Sequence, residues 1–293
     1  MDRDGTDGAE GVETRHPSGA RARRRPGGAL STRRSLSVVS ALSALSALSA
    51  LSALTFALAP ACGRPPAAPP ALPGEVLDLR AWKLTLPVND AGDPAGRPAE
   101  ITQPRLATFR LDPVFTVQGE GVRFRARTDG TTTPGSSYPR TELREMSPDG
   151  ARLAAWSTES GSHTMVVEEA ITALPATKRH VVAGQIHDGE DDVVTVRLES
   201  SRLFVDHNGV DGATLTRGYV LGTRFALRIE ASGGTIRVYY NGGQSPADTL
   251  VRRGGGMYFK AGVYTQSNCQ REATCGPQNA GEVVIYRLRV THA

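Results

Sequence analysis

Cysteine, aromatic residues and charge are all scarce in this chain. There are three Cys in 293 residues, 5% of positions are aromatic and 22% are charged. No GxxxxGK[ST], no paired CxxC and no HExxH occurs, which removes the usual bases for nucleotide, thiolate-zinc and zincin chemistry. No stretch of twelve or more residues keeps a helical apolar period, so a helix bundle is excluded as well. Basic excess is missing where it would matter. The formal net charge is +4, but residues 1–72 hold nine Arg against five acidic groups, leaving 25 basic and 25 acidic groups from Pro73 onward. A neutral body argues against nucleic acid as a partner.

What is present is Gly (32), Pro (19) and many short Val/Leu/Ile runs between Gly-rich breaks, the composition of an all-β domain. Strands are expected at 77–86, 122–128, 138–146, 163–174, 181–187, 193–199, 203–205, 225–231, 236–240, 257–266 and 283–290. Turns are expected at Glu199–Arg202, Asp206–Gly209, Ser232–Gly234 and Asn241–Gly243. About 220 residues suffice for one core. The expected architecture is a jelly-roll β-sandwich over 74–293 with a concave groove.

The first 61 residues read as an export signal behind an over-long start. Basic residues from Arg21 to Arg34 precede an apolar run diluted by Ser-Ala-Leu triplets, and Ala59-Pro60-Ala61 offers a small-residue exit. Leucine at every third position spirals round a helix and makes no amphipathic stripe. Thr32-Arg33-Arg34-Ser35-Leu36 is similar to a twin-arginine signal. Secretion is therefore expected, with no stable membrane span in the mature protein. Cys62 stands where a lipid anchor would attach, although Ala59 is smaller than the usual lipobox residue. Residues 62–73 read as a Pro-rich linker. Cys269 and Cys275, with five residues between them in a polar segment, are most simply a disulfide pinning a loop. No third and fourth ligand lie nearby for a metal.

Side chains alternate faces along a strand. In 138–146 one face carries Tyr138, Arg140, Glu142 and Arg144. In 181–187 Gln185 and His187 share a face, with Val182, Gly184 and Ile186 opposite. In 257–266 one face carries Tyr258, Lys260, Gly262, Tyr264 and Gln266. A merely wet face favours Thr, Ser, Lys and Glu, whereas these three strands offer Arg, Gln, His, Lys and Tyr able to converge, an acid/base set in a cationic cleft. His163, His180 and His207 read as surface or hydrogen-bonded residues, and Glu168-Glu169 and Glu190-Asp191-Asp192 as solvated turns or edges. Arg252-Arg253 before three glycines is read as a groove flap in preference to a charged loop.

Arg140-Thr-Glu-Leu-Arg144, Gln185-Ile-His187 and Tyr258-Phe-Lys-Ala-Gly-Val-Tyr-Thr-Gln266 together resemble the three signature blocks of the alginate lyases of polysaccharide lyase family 7. Trp82-Lys-Leu-Thr-Leu-Pro87 resembles that family's N-terminal strand. The resemblance covers roughly Gly74 to His292 and departs mildly at Thr265, where many relatives carry Asn. It implies a jelly roll that binds alginate and cleaves it by β-elimination without an obligatory metal or cofactor. Arg140 and Gln185 would contact the uronate carboxylate, His187 would be the base, and Tyr264 the acid, or acid and base. Glu142, Arg144, Lys260 and Gln266 would line the groove. Ile186 between Gln and His tends, among relatives, to accompany activity on guluronate-containing blocks. A monomer acting in endo fashion is expected. The competing readings are a lyase for another polyuronate such as glucuronan, or a non-catalytic carbohydrate-binding jelly roll.

Overall fold

A computed structural model describes residues 72–293. The expectations for the leader, for Cys62 and for the linker up to residue 71 lie outside the described residues. A four-residue helix, α1 (Pro73–Val76), is followed by β1 (Trp82–Thr85), β2 (Glu100–Ile101), a single 3₁₀ turn (Arg105–Thr108), β3 (Phe115–Gln118), β4 (Gly121–Arg127) and β5 (Arg140–Glu145). Then come β6 (Ser162–Ala173), β7 (His180–His187), β8 (Asp192–Glu199), β9 (Arg202–His207), β10 (Val210–Thr216), β11 (Phe225–Ser232), β12 (Thr235–Tyr240), β13 (Asp248–Val251), β14 (Tyr258–Thr265) and β15 (Ala280–His292). They form the expected all-β jelly-roll sandwich. The front sheet runs β10-β9-β8-β7-β14-β5-β1-β2 and the back sheet β13-β12-β11-β6-β15-β4-β3, with antiparallel pairing throughout. Among the described residues no helix is long and apolar enough to cross a membrane.

Four strands were not expected: β2, β3, β10 and β13. They are the four sheet edges. Three of them are only two to four residues long, and β10 buries none of its residues, so an edge leaves little of the apolar alternation by which strands are read. The strand expected from residue 77 begins instead at Trp82. Arg80 N–H donates to the Asp78 carboxylate and Trp82 N–H to the Leu79 carbonyl, making 78–81 a turn. The hairpin turns are as expected. Asn208-Gly209 and Gly233-Gly234 are two-residue connections with every φ between 51° and 85°, the twist that a tight hairpin requires.

The scarce aromatics are spent inside, with Phe115, Phe124, Phe225 and Phe259 between the sheets. β7 breaks the expected alternation. Its register against both neighbours shifts between Val182 and Gly184, and Ala183 joins the core while a Cβ at Gly184 would also meet the core side chains of Met165 and Leu227. Two successive residues therefore face inward, as a bulge allows. Val182, expected in the core, sits across from Tyr264 on the front face.

A polar clasp joins the sheets behind β5 and β14. The buried Glu145 carboxylate accepts from Trp156 Nε1 (2.9 Å), from the Phe259 backbone N–H (2.9 Å) and from His292 Nε2 (2.6 Å). His292 Nδ1 is 2.7 Å from His163 Nδ1, and His163 Nε2 faces the Ser157 and Ser160 carbonyls. Both Nε2 atoms thus face oxygens that accept, and the two Nδ1 atoms meet in a hydrogen-bonding contact that links the rings. Replacing His292 with Phe should lower the unfolding free energy by about 1–3 kcal/mol, since it leaves Glu145 Oε1 and His163 Nδ1 without their partner. Denaturant unfolding measures this, and an unchanged midpoint would contradict the clasp.

Glu169, expected at a solvated turn or edge, instead lies within β6 and faces the core with neither carboxylate oxygen bonded, and burial pushes its carboxyl up to about 8. A group raised in the folded state contributes its stability below its unfolded value and loses it as pH rises toward the folded one. Glu169→Met should therefore raise the melting temperature more at pH 8 than at pH 5, the difference being on the order of 5 °C. Equal gains at both pH values would refute the assignment.

Candidate active site

Three adjacent central strands of the front sheet, β7, β14 and β5, present the expected polar side chains in rows. Cross-strand register sets Tyr258 opposite His187, Lys260 between Gln185 and Arg144, Gly262 opposite Glu142, and Tyr264 between Val182 and Arg140. Gly262 has no freedom to be otherwise. Its φ is 138°, and a Cβ there would lie 2.5 Å from the Thr141 carbonyl oxygen and 2.9 Å from Glu142 Cα.

Glu142 is the centre of the cluster and is 1% exposed. Lys260 Nζ donates to its Oε2 at 2.6 Å and Arg140 Nη1 to the same oxygen at 3.1 Å, while Gln185 Nε2 donates to Oε1. Burial pushes the Glu142 carboxyl up, but Lys260, Arg140 and the two side-chain hydrogen bonds outweigh it and hold the group below its ordinary value. The reading of Glu142 as a groove-lining residue is corrected accordingly. Its two oxygens are occupied by protein donors, so it orients Arg140, Gln185 and Lys260 instead of facing a ligand. Burial lowers Lys260 to about 8; Arg140 and Arg144 add to the lowering and Glu142 opposes it.

His187 Nδ1 lies 2.7 Å from the Asp188 carbonyl, which can only accept, so Nδ1 carries the hydrogen and Nε2 keeps a free lone pair. Burial holds His187 below the ordinary histidine value, with the nearby Lys260 and Arg140 charges acting in the same direction. Tyr258 packs its ring against the imidazole with centroids 5.3 Å apart, brings its hydroxyl to 3.1 Å from Nδ1, and carries the Arg144 guanidinium 3.7 Å from its ring centroid. Arg144 also donates to the Glu145 and Ala154 carbonyls. Tyr264 lies under the Arg140 guanidinium at 3.8 Å, with its hydroxyl 2.9 Å from Ser136 Oγ.

The structure thus brings Arg140, Glu142, Gln185 and Lys260 into one bonded cluster, with His187 and Tyr264 on the rows either side. Gln266 is one step beyond β14, where its backbone N–H donates to the His180 carbonyl, and no side-chain hydrogen bond joins it to the Glu142 cluster. Cys269 and Cys275 are bonded in the segment after β14, their Cα atoms 5.0 Å apart. Arg252-Arg253 is not a flap. Arg252 pairs with Asp188 at 2.7 Å and Arg253 with Glu159 at 3.1 Å, and Thr158 Oγ1 donates to the Arg252 carbonyl. His207 is bonded to Asp248. Ser136 and Tyr258 take part without having been assigned roles. Tyr258 was visible on the correct strand face; Ser136 lies in a loop, where alternation gives no direction. Among the described residues no group of three or more His, Cys, Asp and Glu is arranged to hold a metal ion.

Chemically, the arrangement offers cations and an amide aimed at an anion, a neutral imidazole and a phenol. A family model described as alginate lyase matches residues 77–292. A curated alginate lyase of Klebsiella pneumoniae is 26% identical over 77% of this chain and 92% of its own length. Among solved structures, the alginate lyase from Corynebacterium sp. is 45% identical with a TM-score of 0.72, over 77% of this chain and all of that one. The alginate lyase AlgAT5 from polysaccharide lyase family 7 is 50% identical with a TM-score of 0.70, over 76% of this chain and 99% of that one.

Because the Glu142 charge raises Lys260, removing it should drop Lys260 further below about 8. Glu142→Gln is expected to cost on the order of 10²-fold in kcat/KM and to move the alkaline limb of the kcat/KM profile to lower pH. A loss of activity with the limb unmoved would show that Glu142 does not set the Lys260 charge.

Proposed function

The chain belongs to the alginate lyases of polysaccharide lyase family 7, and on that premise we propose that Arg140, Gln185, His187 and Tyr264 carry out β-elimination within alginate, releasing 4,5-unsaturated oligosaccharides. The observation that carries this reading is the Glu142 cluster, which aims two cations and an amide at one place beside a neutral imidazole and a phenol. The proton on C5 of a uronate is poorly acidic while the neighbouring carboxylate is charged, since its loss builds a second negative charge. Arg140 and Gln185 stabilise that dianion as an oxyanion hole would. His187, lowered by burial, stays neutral near pH 7 and takes the C5 proton at Nε2. The C4–O4 bond then breaks, C4=C5 forms, and Tyr264 protonates the departing O4. The imidazolium and the phenolate return to their starting states by net transfer of one proton between them.

Endo action is part of the proposal. The three strands have β8, β9 and β10 on one side and β1 and β2 on the other, so a polymer can continue past the site in both directions. Guluronate-containing blocks are the proposed preference. Ile186 is fully buried and acts on it only through the placement of Gln185 and His187. A solved family 7 alginate lyase A1-II′, 26% identical over 77% of this chain and 98% of its own with a TM-score of 0.64, was crystallised with a substrate written GGMG. We also propose that the protein is exported, freely or anchored at Cys62, and the Cys269–Cys275 bond fits an oxidising compartment.

The test is to incubate defined uronate polymers with the full chain and follow the ultraviolet absorbance of the new C4=C5 bond. Growth on polyguluronate or mixed alginate with a broad early product distribution is expected. Growth on glucuronan alone, or none on any polymer, would overturn the reading. Arg140→Ala should lose about 10²–10³-fold in kcat/KM; full activity would remove Arg140 from the site.

A further inference from the structure

The segment joining β4 to β5 brings one hydroxyl, that of Ser136, against both Arg140 and Tyr264. Four groups lie within hydrogen-bond reach of Ser136 Oγ. Arg140 Nη2 and the Tyr138 backbone N–H are each 3.2 Å away and can only donate. The Tyr138 carbonyl is 3.1 Å away and can only accept. The Tyr264 hydroxyl, at 2.9 Å, can do either and is the nearest of the four.

A serine hydroxyl has one hydrogen and two lone pairs. Arg140 and the Tyr138 N–H fill the two lone pairs. If Ser136 gave its hydrogen to the Tyr138 carbonyl, Tyr264 would have to be a third donor onto an oxygen with no lone pair left. If Ser136 gives its hydrogen to the Tyr264 oxygen, neither lone pair is over-used and the shortest contact is the one used, while the Tyr138 carbonyl goes without the Ser136 hydrogen. We infer that Ser136 is a positioning residue for the reaction: it donates to the Tyr264 hydroxyl and so leaves the phenolic hydrogen free to point into the groove.

This deepens the proposed reaction and rests on the reading of Tyr264 as the acid. When O4 leaves, the O–H bond of Tyr264 breaks, its hydrogen goes to O4 and the electron pair stays on the phenolate oxygen. That oxygen already accepts the Ser136 hydrogen and lies on a ring covered by the Arg140 guanidinium, 3.8 Å from the centroid. The donor is in place before the charge forms, so it costs no reorganisation when the bond breaks. The same hydroxyl accepts from Arg140, which links the residue proposed to hold the carboxylate with the residue proposed to protonate the leaving group.

Ser136→Ala removes the donor and Ser136→Thr keeps it. In Ser136→Ala kcat should fall on the order of 10- to 100-fold while KM stays within about two-fold, and the solvent deuterium isotope effect on kcat should rise as proton delivery becomes slower. Ser136→Thr should recover most of the lost kcat and the wild-type isotope effect. Full activity in Ser136→Ala, or a loss carried by KM with an unchanged isotope effect, would overturn the inference. Tyr264→Phe separates the two levels. If it remains fully active, the reading of Tyr264 as the acid has failed; if it is inactive while Ser136→Ala is not, only the assignment of Ser136 has.

Discussion

The buried carboxylate of Glu142 is the constraint on which the rest of the site depends. Two cations held within a few ångströms of each other, Arg140 and Lys260, repel one another and are desolvated, and neither would keep its place in an empty cleft. Glu142 offsets both costs at once and uses its second oxygen to fix Gln185. The strands must then sit so that all three donors reach one side chain. Gly262 supplies that closeness, since its lack of a Cβ lets β14 approach the Glu142 backbone. A charge that would repel a uronate is in this way made to organise the groups that attract one.

The same electrostatics reach the base. Lys260 and Arg140 disfavour a charged imidazole at His187, in the direction burial already drives it, so the cations proposed to draw in an acidic sugar also favour the neutral form of the proposed base. Behind the face, Glu145 ties Phe259 of β14 to the last strand through His292. Its neighbour Arg144 stacks on Tyr258, which in turn packs on His187. The ring orientation of His187 is thus continuous with contacts that run to the back sheet.

Much of this was legible before the structure because β5 and β14 are regular over the residues that matter. Period-two alternation put Arg140, Glu142 and Arg144 on one face, and Tyr258, Lys260 and Tyr264 on another, and the register of β5 against β14 joins those faces without a slip. It failed where the backbone departs from that period. The β7 bulge turns Val182 to the front, and no residue type in Val-Val-Ala-Gly announces the extra residue. Glu142 was placed on the right face with the wrong task, because a lone sequence shows neither burial nor that three donors from three strands converge. The edge strands went unread for the reason that they are edges, and Ser136 because a loop has no period.

Charge gives the clearest lesson about scale. The surplus of Arg in residues 1–72 accounts for the whole net charge, and the remaining residues balance at 25 against 25. Long-range attraction toward a polyanion is therefore weak, and what exists is screened over about 8–10 Å at ordinary ionic strength. The local balance differs: Arg140 and Lys260 share the one carboxylate of Glu142, and each is less than a tenth exposed. Salt can slow the approach of such a ligand far more than it weakens the contact once water has been displaced. On the proposed reading an acidic polymer is recognised by where a few cations are held, and a body of zero net charge is no obstacle to that.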